Sequence, residues 1–301
     1  MSIVLTLVAS DPDRKPLTDR HTGEIIKLID LYDIRPTCQP VWIRRGKAAE
    51  IGISGHGGTS MMYRLREFLA DSQIDIFITP IKNRRKKVML ADMDSTIVTG
   101  ETLDDLAEHA GIKDQVAEIT ARAMNGELDF HAAIEKRVRL LKGLPQAALE
   151  KTLENMTYSP GAASLVKTLR EGGAHCVLVS GGFTFFTGAV ARELGFINHH
   201  GNELDIADDV LTGHVKKPIL DKDSKVQFLR QYADLYNLSL EHCMAIGDGA
   251  NDIPMLKAAG LGIGYKPKEA VAKEIENLII YGDLSAALYV QGYAHDDIIF
   301  P

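Results

Sequence analysis

The stretch V-M-L-A-D-M-D-S-T at residues 88–96 decides the fold of this 301-residue chain. Four apolar residues predict a short strand, and Asp92 and Asp94 follow where the strand runs into a polar turn. Two carboxylates two positions apart at a strand end can project to the same side. One can then attack a substrate while the other moves protons. Such a pair, taken alone, is equally compatible with a solvated turn.

Two further apolar runs end in polar turns that contain glycine. Residues 176–179 precede S-G-G at 180–182, and residues 244–246 precede G-D at 247–248. Short strands of this kind, followed by helical segments, are typical of a parallel α/β sheet. Because ligands bind beyond the carboxyl ends of the strands in such sheets, we expect the three turns to form one crevice.

The polar residues of these turns indicate a cation and a phosphate. G-D-G-A-N-D at 247–252 departs from the dinucleotide fingerprint, since Asp252 stands where that pattern needs glycine. Its carboxylates favour Mg²⁺, which takes oxygen ligands; a glycine-rich turn without a ligand is the alternative. Ser180 and the open N–H groups at 181–182 can hold phosphate oxygens, and Lys225 adds a positive charge. Most single lysines, however, are exposed structural residues.

The spacing of apolar residues divides the rest of the chain. Residues 1–80 show the order β-α-β-β-α-β, which predicts a small ferredoxin-like domain. The basic run at 81–87 is interpreted as a solvated linker, with a nucleic-acid patch as the alternative. Residues 88–301 form the α/β part, and the helical pattern over about 101–165 is too long for a simple crossover, so it predicts an inserted cap.

Composition excludes several classes of protein. Hydrophobic residues make up 45% and charged residues 25% of the chain, which excludes a disordered or fibrous protein. The net charge is −7, and the three cysteines show no metal or redox spacing. No apolar run approaches the ~18 residues of a membrane span. We therefore expect a cytoplasmic protein that binds neither membrane nor nucleic acid.

The four elements D-M-D-S-T, V-S-G-G, Lys225 and G-D-G-A-N-D occur in this order, and with them the chain resembles the haloacid dehalogenase-type phosphohydrolases. Glu101, the segment 126–130 and Arg137 extend the resemblance to the phosphoserine phosphatases within that family. The similarity covers essentially residues 88–290. It implies a Rossmann-like parallel-sheet hydrolase core with an inserted helical cap. The N-terminal ferredoxin-like α+β segment is similar, at the level of fold, to ACT-like domains.

The resemblance also implies catalytic roles. Asp92 would be the nucleophile that forms an aspartyl-phosphate, and Asp94 would protonate the leaving oxygen and then activate water. Mg²⁺ would lie between the phosphate, Asp92, the backbone carbonyl of Asp94, and Asp248. These assignments make the protein a magnesium-dependent phosphoric monoester hydrolase.

The remaining roles concern the substrate. Ser180, Gly181 and Lys225 would hold the phosphoryl oxygens, while Asn251 and Asp252 would support the metal and the nucleophile. These five residues complete the phosphate end of the expected site.

At the other end of the substrate, Glu101 would bind the ammonium group of phosphoserine and Arg137 its carboxylate. Met124 and Phe130 would close the cap over the substrate. From position alone, a surface ion-pair member or a core residue of a helix is the more common role for each of these four residues. The family resemblance favours the substrate role.

The expected function is hydrolysis of O-phospho-L-serine to L-serine and phosphate, the last step of serine biosynthesis. A phosphotransferase acting on another hydroxyl compound, such as homoserine, is a close alternative. A regulatory amino-acid sensor with a weak catalytic half is a more distant one. We further expect residues 1–80 to support a homodimer or to bind a regulatory amino acid such as serine.

Overall fold

The structure is a computed structural model that describes residues 2–124 and 129–301, with the side chains at 121, 123, 124 and 130 also left out of the description. Within these ranges the chain builds two β-sheets. One hydrophobic core lies within the N-terminal part, and a larger core of the remainder also includes Val8, Ala48 and Phe77 of the first sheet. The first sheet lies in the N-terminal 80 residues and the second in the remainder.

The first sheet is antiparallel, with the described strands in the order β2-β3-β1-β4. Its elements are β1 (Ile3–Ala9), α1 (Asp19–Asp30), β2 (Val41–Arg44), β3 (Ala48–Ile53), α2 (Gly58–Leu69) and β4 (Ile74–Pro80). Alternate residues of β1, Leu5 and Leu7, are fully buried in the core that also contains Ile25 and Ile29 of α1. The predicted β-α-β-β-α-β order is confirmed.

The second sheet is parallel except at one edge, and its described strands lie in the order β11-β10-β9-β5-β6-β7-β8. The strands are β5 (Val88–Ala91), β6 (His175–Phe183), β7 (Asn198–Ala207), β8 (Val210–Lys216), β9 (Cys243–Gly247), β10 (Leu261–Tyr265) and β11 (Asn277–Ile279). All four residues of β5 are buried, because β5 lies between β6 and β9 with helices on both faces. The predicted α/β fold is confirmed.

Helices follow the first strand of this sheet before the chain returns to β6. They are α3 (Thr102–His109), α4 (Lys113–Met124), α5 (Phe130–Leu140), α6 (Ala147–Glu154) and α7 (Ala162–Glu171). The segment that leaves the sheet and the segment that returns to it lie side by side. Thr99 N donates to Thr157 O at 3.0 Å, and Ser159 N donates to Ile97 O at 2.9 Å. Helices α3 to α6 therefore form an insertion on a paired stem.

The remaining helices cover the second sheet or follow its strands. They are α8 (Thr184–Leu194), α9 (Lys222–Leu235), α10 (Ile253–Ala258), α11 (Glu269–Glu274) and α12 (Ala286–Val290). Among the described residues, no helix combines the length and the apolar character that crossing a membrane requires.

The basic run between the two sheets is partly built into the structure. Arg84 is only 11% exposed; its guanidinium pairs with the Glu50 carboxylate at 2.6 Å and donates to Thr6 Oγ1 at 2.8 Å. Lys86 is buried and donates to the backbone carbonyl of Glu241 at 2.7 Å. The expectation of a solvated run is therefore wrong for these two residues, because their charged groups form hydrogen bonds and an ion pair with polar atoms at the junction of the two sheets.

The outer edge of β4 is joined to the second sheet. Asn277 receives a hydrogen bond from Ile78 N at 2.8 Å and donates to Ile78 O at 3.2 Å, so its amide occupies the place of a neighbouring strand. The buried Asp75 carboxylate accepts the backbone N–H groups of Ile280, Tyr281 and Gly282. These bonds hold the N-terminal sheet against the loop after β11.

Candidate active site

Three neighbouring strand ends form the site. Strand β5 pairs with β6 on one side and with β9 on the other, and Asp92 N donates to Ile246 O at 2.9 Å. The turns at 92–96, 180–182 and 247–252 therefore meet at the carboxyl edge of the sheet, as predicted. A short irregular helical turn follows Asp92, in which Ser95 has a positive φ of 56°.

Lys225 lies at the centre of the site. It is brought there by α9, whose first turn is capped by Asp221. Its ammonium nitrogen lies 2.6 Å from Asp92 Oδ1 and 2.5 Å from Asp252 Oδ1, and all three side chains are buried. Gly249 N also donates to Asp252 Oδ2 at 3.1 Å. The lysine thus neutralises part of a crowded acidic group.

That acidic group consists of Asp92, Asp248 and Asp252, which each offer a carboxylate oxygen within 4.8 Å of the others. Burial raises the pKa of Asp92 well above its usual value; the charge of Asp252 adds to the rise, and Lys225 opposes it. Burial likewise raises the pKa of Asp248. Buried carboxylates that crowd together need a cation, and an all-oxygen donor set suits Mg²⁺.

Asp94 lies beside this cluster with its side chain turned to other partners. Asp94 Oδ1 accepts the backbone N–H of Thr102 at 2.8 Å, and Oδ2 accepts the Ser180 hydroxyl at 3.0 Å. Burial and, after it, the charge of Glu101 raise the pKa of Asp94 to about 6. A carboxyl group with this pKa can give and take a proton near neutrality. The contribution of Thr102 is a backbone contact, so no residue-type signal pointed to it.

The turn at 180–182 is held from below by a side chain that sequence reasoning did not assign. Ser180 Oγ accepts Gly182 N at 2.8 Å. Asn202, which is buried, donates to Gly181 O at 2.7 Å and accepts Leu220 N at 2.8 Å. Asn202 therefore holds the peptide between Gly181 and Gly182, which directly follows the N–H group of Gly181 that is the predicted phosphate ligand.

Two charged residues of the cap approach the same edge. Glu101 precedes α3 and accepts the Ser95 hydroxyl at 2.8 Å. Arg137 on α5 donates to Thr120 Oγ1 at 3.4 Å, while its buried Nε has no partner among the described residues. Burial lowers the pKa of Arg137, and the charges of Asp104, Glu101 and Asp94 oppose this effect.

The other predicted site residues differ in whether the structure describes their side chains. Asn251 lies beside the acidic cluster, with its Nδ2 3.5 Å from Asp252 Oδ1. The side chains of Met124 and Phe130 lie outside the described part of the structure, although their backbones end α4 and begin α5. The structure also adds Lys268, whose ammonium nitrogen is 3.0 Å from Asp248 Oδ2.

Known proteins share this arrangement. The sequence profile of the haloacid dehalogenase-like hydrolases matches residues 89–257. The phosphoserine phosphatase of Archaeoglobus fulgidus is 43% identical over 210 residues, which cover 69% of this chain and 61% of that protein. The chain covers 61%, 58% and 62% of the length of three curated relatives, all phosphoserine phosphatases.

Solved structures match both parts of the chain. A haloacid dehalogenase family hydrolase from Salmonella enterica serovar Typhi has a TM-score of 0.83 and 28% identity, over 99% of each chain. A structure described as a phospho-aspartyl intermediate analogue of phosphoserine phosphatase has a TM-score of 0.64 and 38% identity. It covers 68% of this chain and 98% of its own. The two-sheet architecture therefore recurs as a whole in the first of these proteins.

Proposed function

We propose, from the premise that this chain belongs to the haloacid dehalogenase-like hydrolase family, that it is a Mg²⁺-dependent phosphoserine phosphatase. The observation that carries the chemistry is the buried ion pair of Lys225 with Asp92 beside Asp248 and Asp252. This arrangement offers a nucleophile, a fixed cation and a divalent-cation site within one crevice.

Asp92 is the nucleophile in this proposal. Lys225 binds its Oδ1 at 2.6 Å, which fixes the carboxylate and leaves Oδ2 without a hydrogen bond among the described residues. Oδ2 attacks phosphorus, the new O–P bond forms, and the bond from phosphorus to the serine oxygen breaks. Asp94 gives its proton to that departing oxygen.

The second step regenerates the enzyme. Asp94, now a carboxylate, takes a proton from water, whose oxygen attacks phosphorus and releases the Asp92 carboxylate with inorganic phosphate. Thr102 keeps the Asp94 carboxyl group in place through both steps. The Ser180 hydroxyl, which donates to Asp94 Oδ2 in the structure, would turn to a phosphoryl oxygen when substrate binds. Asp92 and Asp248, with the Asp94 backbone carbonyl, would hold Mg²⁺, which supplies neutralisation of the phosphoryl charge.

The size of the barrier requires several groups to act together. Hydrolysis of a phosphate monoester can need an acceleration of ~10²¹-fold, which corresponds to about 28 kcal/mol. No single hydrogen bond supplies this energy, so the covalent route and the concentration of positive charge are both needed.

Substrate recognition is proposed for the cap. Glu101 would bind the ammonium group of phosphoserine. Arg137, whose buried Nε has no hydrogen-bond partner in the described part of the chain, would bind the carboxylate. Ser180, Gly181 and Lys225 would bind the phosphoryl oxygens. The support for Glu101 is that its carboxylate already lies 3.5 Å from one ammonium group, that of Lys268.

The organisation of the chain is proposed on the same basis. Residues 1–80 would form a domain that supports a homodimer or binds a regulatory amino acid, 81–87 the connection, and 88–301 the phosphatase domain. The separate core beneath the first sheet supports the division. We place the protein in the cytoplasm, in the last step of serine biosynthesis.

Phosphate release tests the proposed function. The full chain would be assayed with phosphoserine, phosphothreonine, a sugar phosphate and p-nitrophenyl phosphate, each with Mg²⁺ and with a chelator. We expect Mg²⁺-dependent turnover with a strong preference for phosphoserine. Equal turnover of all four esters would contradict the assignment of phosphoserine as the substrate. Phosphate transfer to homoserine in place of water would favour the phosphotransferase alternative.

A further inference from the structure

Lys268 lies between the two ends of the proposed substrate site. Its ammonium nitrogen is 3.0 Å from Asp248 Oδ2 and 3.5 Å from Glu101 Oε1. Its backbone N–H donates to Asp248 O at 2.9 Å, so the residue is anchored at its main chain. The lysine thus connects the carboxylate proposed for the metal with the carboxylate proposed for the substrate amino group.

The side chain of Lys268 is accessible to solvent, although its backbone is anchored. It is 47% exposed, and the Glu101 side chain is 48% exposed, so their contact is a solvent-accessible ion pair. Such exposed pairs form and break at small cost.

We propose that Lys268 exchanges with the amino group of the amino-acid product on Glu101 and thereby promotes product release. The proposal rests on the proposed function, because it takes Glu101 as the ammonium site. A second cation next to Glu101 competes with the substrate and product ammonium groups for one carboxylate.

The competition has its main consequence after phosphoryl transfer. Phosphoserine is held by its phosphoryl group as well as by its amino-acid end, whereas serine is held by Glu101 and Arg137 alone. When serine leaves, Lys268 returns to Glu101, so this carboxylate regains a cationic partner. Lys268 would therefore lower the affinity for substrate and product by the same factor, and this loss promotes release of serine, which has no phosphoryl contacts to hold it.

Calorimetric titration of the full chain with L-serine, in the presence of Mg²⁺, tests the proposal. We expect Lys268→Met to bind L-serine about two- to five-fold more tightly than the wild type, the range set by an exposed ion pair. Lys268→Arg, which keeps the charge, should bind as the wild type does. Lys257→Met is the matched control, since Lys257 is 52% exposed and pairs with Glu274 at 2.5 Å.

The sign of the change separates this role from a structural one. If Lys268 only supports Asp248 or Glu101, its removal weakens L-serine binding, and that result or an unchanged affinity would overturn the proposal. Lys268→Gln provides a second neutral variant, and circular dichroism confirms that each variant is folded. If wild-type protein neither binds L-serine nor prefers phosphoserine, the proposed function itself fails, which is a distinct outcome.

Discussion

Thr102 donates its backbone N–H to Asp94 Oδ1 at 2.8 Å, and this bond connects the first residue of α3 to the carboxyl group proposed to move protons. Thr102 begins the cap, whereas Asp94 belongs to the turn after β5. The position of the cap and the orientation of the acid are therefore mechanically linked. A displaced cap would release one of the two bonds that orient Asp94.

The pKa of Asp94, raised to about 6, predicts how stability depends on pH. Because the folded-state pKa exceeds the unfolded value, the stabilising effect is complete below the unfolded pKa and is lost as pH rises through about 6. Asp94→Asn mimics the protonated acid. Its unfolding free energy relative to wild type should rise by about 2–3 kcal/mol between about pH 4 and about pH 8.

Denaturant unfolding of the Mg²⁺-free protein at both pH values measures this difference. Asp234→Asn, in the last turn of α9 and away from the crevice, serves as the control. A constant difference between Asp94→Asn and wild type across this range would contradict the raised pKa.

Asp92 and Lys225 should behave as a single unit. We expect Asp92→Asn and Lys225→Met each to lower kcat by about 10⁴-fold or more, and the double variant to lose little beyond either one. The reason is that Lys225 binds the Asp92 oxygen directly, at 2.6 Å. Phosphate release with Mg²⁺ measures the losses; near-normal turnover by Asp92→Asn would exclude the covalent route.

Arg137 should determine specificity for the amino-acid end of the substrate. Arg137→Ala is expected to lower kcat/KM for phosphoserine by about 10–100-fold, because charged hydrogen bonds to the carboxylate are lost. Turnover of p-nitrophenyl phosphate, which has no carboxylate, is the internal control and should change much less. Equal losses for both esters would assign Arg137 a structural role in the cap.

Gly247 allows the close approach of Asp252. A Cβ atom at position 247 would lie 2.5 Å from the Asp252 carboxylate carbon. Gly247→Ala should therefore cost about 1–3 kcal/mol of stability and displace Asp252 from Lys225. Gly23 is the opposite case, because it lies in α1 with open space around it. Gly23→Ala should therefore stabilise the protein by about 0.5–1 kcal/mol. Thermal unfolding measures both, and equal effects would refute the argument.

Arg84 should stabilise the contact between the two sheets. Arg84→Met leaves the Glu50 carboxylate, 20% exposed, without its partner and should cost about 3 kcal/mol of unfolding free energy. Arg45→Met is the control, because Arg45 and Asp19 are 68% and 75% exposed and such pairs contribute less than about 1 kcal/mol. Similar losses in the two variants would show that the Arg84 contact contributes little.

The sequence predicted those features that depend on local pattern. Apolar runs ending at Asp92, Ser180 and Gly247 predicted the strands, since a strand buried on both faces needs uninterrupted apolar side chains. The pairing rules of parallel sheets then brought the three turns to one edge. The acidic cluster was predictable in the same way, because Asp92 and Asp248 stand directly after strands and Asp252 lies in the turn that follows β9.

Other contacts depend on residues whose local sequence carries no signal. Lys268 lies in a surface loop, and its local sequence does not distinguish it from the other lysines of the chain. Only the packing of the loop after β10 places it between Asp248 and Glu101. Asn202 acts on the backbone carbonyl of Gly181, which lies 21 residues earlier in the chain. Thr102 acts through its own backbone N–H, which donates to Asp94.

The sequence by itself therefore determined the two-sheet fold, the order of the motifs and the acidic residues after β5 and β9. Only the tertiary structure decided which cation pairs with which carboxylate, and that Arg84 and Lys86 are bound inside the junction instead of solvated. The physical reason is that hydrophobic periodicity is a pattern among residues that are close together in the sequence. A charged side chain instead takes its partner from whatever polar atoms the completed fold brings within reach.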